Sequence, residues 1–168
     1  MNEKIEAVFS ECGLFRYMLT ITWDESLPVL PWCLFNPSVA GRHDENGKVR
    51  SDPTARKGRG FSERLGYGGM VFVNPYAFIS TDPKGLKTAG YPVGPENDRH
   101  ILNACAMGDG RVIVAWGALG RGLSRPVEVL KMIRTAGFTP MALGFTADRL
   151  PRHPLMLAYD TELEAVHG

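Results

Sequence analysis

The sequence predicts an α/β fold, a three-layer α/β/α sandwich around a central, mostly parallel sheet of four strands, built as a single domain over residues 1–168. Three observations lead there. Four short apolar runs, at residues 29–35, 70–73, 111–116 and 138–143, alternate with segments of helical character. Those helical segments carry start and stop signals. Each strand-like run also breaks abruptly into polar or glycine-bearing sequence: Asn36, Asn74, Gly117 and the loop that carries His153. Strands alternating with helices imply a parallel sheet with right-handed crossovers. In such a sheet the C-terminal strand tips lie along one edge, where open α/β sheets bind ligands.

Taken in order, residues 1–11 read as a short helix or an irregular lead-in. Residues 15–22 (FRYMLTIT) are rich in aromatic and β-branched side chains and read as a strand, closed by a Trp-Asp-Glu-Ser turn. The second strand is residues 29–35. Residues 42–51 are polar and read as a loop. Asp52-Pro53-Thr54 then opens a helix, because Asp is a good N-cap and Pro is tolerated at the first helical position. The helix runs through Phe61 and Leu65 to the glycines at 66, 68 and 69. Residues 70–73 (MVFV) suit a central parallel position. Residues 79–95 are dense in Pro and Gly and read as a long loop. A helix follows from residue 95 to about 107, then the strand at 111–116. Ser124 is expected to cap a helix to about Thr135, with Pro126 in its first turn and Gly137 beyond its end. The strand at 138–143 precedes the loop GFTADRLPRHPL.

Bulk properties narrow the class. At 168 residues the chain can bury a core without metal or disulfide staples. Cys12, Cys33 and Cys105 are odd in number and far apart, which argues against a disulfide framework and a zinc site. A reduced, cytoplasmic compartment is the expectation. No apolar run reaches the length of a membrane span, and the charged N-terminus lacks a signal-peptide core. Formal net charge is only +1, so any nucleic-acid surface must be a local patch. Arg42, Lys48, Arg50, Arg56, Lys57, Arg59 and Arg64 supply a local excess over Asp44, Glu45, Asp52 and Glu63.

The strand-end residues carry the chemistry. Asn36 is no strong base, but its amide can hold a water molecule in line with a reacting carbon. Asn74 offers a donor and an acceptor, which suits reading the edge of a base or an amide. Equally, each amide can cap its own loop. His153 stands between Arg152 and Pro154 and can hydrogen-bond developing negative charge on a leaving group. Phe61 has the helical position of a core residue, and its ring could otherwise stack on a planar ligand. Asp52, Asp98 and Asp148 are candidate acids with no partner fixed by spacing. There is no P-loop, no dinucleotide fingerprint and no nucleophile elbow.

The set FNPSVAG, SDPTARKGRGFSERLGYGGMVFVNPYAF, PVGPEND, AWGALG and PRHPL resembles a widespread bacterial and phage family of small proteins catalogued as a domain of unknown function, over about residues 15–157. More distantly, the chain resembles the uracil-DNA glycosylase superfamily, whose fold is an α/β/α sandwich on a four-stranded parallel sheet. FNPS resembles that superfamily's water-positioning motif, GFS its base-stacking aromatic, VFVN its base-reading Asn, AWG a Trp-Gly pair, and His153-Pro154-Leu155 its His-Pro-Ser loop. Ser38 stands where many members have Gly, and Leu155 replaces the final Ser.

The resemblance implies a DNA glycosylase-like hydrolase acting on the N-glycosidic bond of a damaged or modified base flipped from the stack. It implies catalytic roles for Asn36 and His153 and substrate contacts from Phe61, Asn74, Ser38, Trp116 and Gly117. Arg152, Arg56 and Lys57 are the expected DNA contacts. No metal or organic cofactor is implied, the partner is DNA, and a monomer is expected. Two other readings stay open: a non-catalytic pocket for a nucleotide or modified base, such as a sensor in phage–host conflict, and a small-molecule hydrolase using Asp52 or Asp148 as general base.

Overall fold

The structure, a computed structural model, describes residues 3–167. Its centre is one mixed sheet of seven strands in the order β1-β2-β4-β3-β5-β6-β7. The strands are β1 (Lys4–Phe9), β2 (Arg16–Thr22), β3 (Val29–Cys33), β4 (Gly69–Val73), β5 (Arg111–Val114), β6 (Thr139–Ala142) and β7 (Glu164–Ala165). β3 pairs in parallel with β4 on one side and β5 on the other, and β5 pairs in parallel with β6. β2 and β1 extend the sheet antiparallel beyond β4, and β7 adds an antiparallel edge beside β6. The sheet is therefore wider than the four strands the sequence suggested.

Side chains alternate across the sheet, and two hydrophobic clusters divide accordingly. Leu30, Trp32, Met70, Phe72 and Ile113 join one cluster; Cys33, Val71, Val73, Val112 and Val114 join the other. Helix α1 (Pro53–Arg64) contributes Ala55 and Phe61 to the first. Helices α3 (Asn97–Cys105) and α4 (Ser124–Thr135) contribute Ile101, Ala104, Val129 and Ile133 to the second. The close approach of α1 to β4 needs Gly58, since a Cβ there would meet the Phe72 ring at 2.6 Å. Trp32 is fully buried, and its indole N–H is satisfied by Ser62 Oγ at 3.0 Å, which in turn donates to Gly58 O.

Three local expectations are corrected. Residues 4–9 form an edge strand rather than a short helix or an irregular lead-in; KIEAVF alternates exposed and half-buried positions against β2. Of the 1–11 lead-in, residues 1 and 2 lie outside the described residues. The Pro- and Gly-rich segment 79–95 contains a short helix, α2 (Pro83–Thr88), capped by the side chain of Asp82. Ser124 is the first residue of α4, not its cap: Leu123 holds that position without a side-chain hydrogen bond. Asp52, by contrast, does cap α1, accepting Ala55 N–H at 2.8 Å. Among the described residues no helix is long and apolar enough to cross a membrane.

Candidate functional site

A cleft of about 280 Å³ opens beyond the C-terminal end of β3. Its polar lining is Arg16, Asn36, Ser38, Asp52, Thr54, Ser80, Thr81 and His153, with Leu34, Phe35, Phe72, Pro83, Leu119 and Leu155 as apolar walls. A larger hollow, about 670 Å³, lies between β1 and the 41–49 loop. Its lining is mostly apolar, and the guanidinium of Arg42 there donates to Gly13 O at 2.7 Å. The chemistry-bearing groups converge in the smaller cleft.

Asn36 follows β3 through Leu34 and Phe35. Leu34 N–H still bonds Val73 O at 2.9 Å, so the chain stays tied to β4 up to the polar break. The Asn36 amide nitrogen then donates to three backbone carbonyls, Pro37, Phe78 and Ser80, at 3.2, 3.4 and 2.9 Å. Three carbonyls around one terminal atom identify that atom as the NH₂, because carbonyl oxygens only accept. Oδ1 is thereby fixed as an acceptor with no partner among the described residues. Pro37 O also accepts Ser80 N–H at 2.9 Å, which locks the two loops of the cleft together.

His153 reaches the same cleft from the far end of the chain. Its loop is pinned where Gly117 N–H donates to Pro151 O at 2.8 Å. Pro154 opens a single 3₁₀ turn, Pro154–Met156, and His153 Nδ1 accepts Leu155 N–H at 3.2 Å. An accepting Nδ1 puts the proton of the neutral ring on Nε2. Burial lowers the imidazole pKa below its ordinary 6.5, with the Asp52 carboxylate working in the opposite direction. The ring is thus a neutral Nε2–H donor at pH 7.

Arg16 and Asp52 are the other charged groups. Because β2 is antiparallel to β4, its first residue lies level with the C-terminal tips of the parallel strands. That geometry brings Arg16 to the cleft, with its backbone N–H bonded to Ala77 O at 3.0 Å. Asp52 is there because the start of α1 faces the strand ends. Ser38, expected as a substrate contact, also lines the cleft.

Other expected residues lie elsewhere. Phe61 is 1% exposed and packs between Trp32 and Tyr159, with ring centroids 6.2 and 5.1 Å away. It is a core residue, so the expected place on the cleft wall is corrected. Asn74 is 2% exposed, does not line the cleft, and neither side-chain atom has a partner among the described residues. Its backbone carbonyl accepts Asn97 Nδ2 at 2.8 Å. Trp116 is buried among the α3 and α4 side chains. Gly117 supports His153 from behind, with φ +68°. Asp148 is exposed and engaged by Arg121 and Thr146, away from the cleft. Arg56 and Arg152 are exposed, whereas Lys57 sits 4.0 Å over the Tyr159 ring. Among the described residues no group of three or more His, Cys, Asp or Glu side chains could hold a metal ion.

A family model described as "Protein of unknown function (DUF1643)" matches residues 16–155. The chain belongs to that DUF1643 family. The match begins at Arg16 and ends at Leu155, so the residues that line the cleft fall inside the DUF1643 region. No curated protein and no solved structure matches the chain.

Sequence reasoning missed Arg16, Thr54, Ser80 and Thr81. The available signal for Arg16 was a lone charge inside an otherwise strand-forming run.

Proposed function

We propose that the cleft hydrolyses the N-glycosidic bond of a damaged or modified base in DNA. The observation that carries this reading is the Asn36 amide: three carbonyls hold its nitrogen, which leaves Oδ1 as a rigid acceptor in the cleft that also contains the neutral Nε2–H of His153. Asn36 Oδ1 holds the attacking water. The C1′–N bond breaks with its electron pair going to the base, and His153 stabilises the charge that develops there. The water oxygen bonds C1′, and its proton passes to Asp52, the one carboxylate lining the cleft.

The parallel pairings of β3 with β4 and β5, and of β5 with β6, support kinship of fold with the uracil-DNA glycosylase superfamily, as does the position of Asn36 just after β3. Fold alone does not carry activity, so the weight rests on the site. In this reading the apolar walls at Phe35, Phe72 and Leu119 grip the base, in place of Phe61. Exposed Arg56 and Arg152 offer phosphate contacts beside the cleft.

A second reading uses the same groups: with Asp52, His153 and Arg16 in one cleft, Asp52 would serve as general base of a small-molecule hydrolase. The test that separates them is incubation of the protein with DNAs bearing different modified bases, scored for abasic sites, beside free nucleosides scored for released base. Abasic sites in DNA support the first reading; release from free nucleosides alone supports the second.

A further inference from the structure

Arg16 is 3% exposed, and a buried guanidinium is costly unless an anion or full hydrogen bonding compensates it. Neither is complete here. Nη1 donates to Ala40 O at 2.7 Å, while Nε is buried with no acceptor. No ion pair among the described residues includes Arg16. Asp52 acts on it only through space. The side chain nonetheless lines the cleft. Around the same cleft, the hydroxyls of Ser38, Thr54 and Thr81 form no hydrogen bond among the described residues. Ser80 Oγ differs, since it donates to Asp82 O at 2.6 Å.

A buried cation with an unused donor, in a cleft that three unused hydroxyls also line, supplies the donor set of an oxyanion receptor. We infer that Arg16 receives phosphate oxygens of the substrate, with Ser38, Thr54 and Thr81 as neutral donors around it. The inference rests on the reading of this cleft as the substrate site and names the substrate's second handle: a phosphate attached to the sugar whose base is released. Asp52 sits in the same cleft and opposes added negative charge. It therefore favours a singly charged phosphodiester, as in a nucleic-acid strand, over the doubly charged phosphate of a free nucleotide.

The experiment follows the guanidinium N–H signals of Arg16 by NMR in the wild-type protein, assigned by their loss in Arg16→Lys. The titrants are inorganic phosphate, a nucleoside, its 5′-monophosphate and a short oligonucleotide without terminal phosphates. The expected result is a saturable shift with the oligonucleotide, a weaker one with the monophosphate or inorganic phosphate, and none with the nucleoside. Arg16→Lys should weaken oligonucleotide binding about tenfold or more, because an ammonium cannot reproduce the planar fork of donors. A shift with the free phosphates equal to or stronger than that with the oligonucleotide keeps Arg16 as the receptor but overturns the preference for a strand. Signals that no phosphate moves, or that the nucleoside moves as strongly, overturn the inference. Should Arg16→Lys not fold, assignment through backbone-linked spectra leaves the wild-type titrations decisive. These titrations read binding alone, so phosphate binding without base release would count against the glycosidase reading and leave the receptor standing.

Discussion

A Cβ added to Gly117 would lie 3.1 Å from the Cβ of His153. Gly117 also has φ +68°, a conformation that costs other residues roughly 1–2 kcal/mol. The glycine thus lets the turn after β5 press against the histidine loop and hold it over the cleft. Gly117→Ala should leave a folded protein with a displaced His153. Base release should fall more than thermal stability, and the His153 ring signals should move in NMR spectra. Unchanged His153 signals would show that Gly117 does not position the ring.

Asn36→Asp tests the amide orientation. The carboxylate keeps an acceptor toward the water but faces three carbonyls that need a donor. Pro37 O keeps the Ser80 N–H, but the loss of the amide donor at Phe78 O and Ser80 O should destabilise the protein by about 1–3 kcal/mol, read as a lower midpoint in denaturant unfolding. Unaltered stability would mean that the amide nitrogen does not bind the loop.

Phe61→Ala separates core from cleft. Removing a fully buried Phe should cost about 3–5 kcal/mol of stability. At a temperature where the variant remains folded, substrate affinity should be close to wild type. A variant of normal stability and weak substrate binding would return Phe61 to a stacking role.

Much of this arrangement was legible in the chain, and the exceptions have physical causes. The parallel strands are short continuous apolar runs, as strands covered on both faces must be, and their polar breaks marked Asn36, Ser38 and His153 as strand-end groups. β1 was not legible because Lys, Glu and Ala favour helices, and its role as a sheet edge comes only from pairing with β2. Phe61 was ambiguous because helical periodicity places a ring on an inward face without saying whether that face meets core or cavity. Arg16 could not be placed at all: its access to the cleft depends on β2 running antiparallel beside β4, a matter of strand order that local pattern does not encode.

The histidine supplies a pH test. Burial holds its folded pKa below 6.5, so folding favours the neutral ring. Its contribution to stability is present above 6.5 and is lost as pH falls through the folded pKa. His100, also lowered by burial, contributes in the same direction, so individual ring signals must be followed. His153 should titrate with a midpoint below 6.5, read from its own ring signals. A midpoint above 6.5 would mean that the charged ring is the stabilised form.

Single-turnover release of base from modified DNA, with strand binding measured on the same samples, tests the central claim most directly. Asn36→Ala and His153→Ala should each slow release about 100- to 1,000-fold, or roughly 3–4 kcal/mol in the barrier. Binding should change far less, because the remaining contacts persist in the ground state. Release at the wild-type rate by both variants would contradict a mechanism in which Asn36 holds the water and His153 stabilises the departing base.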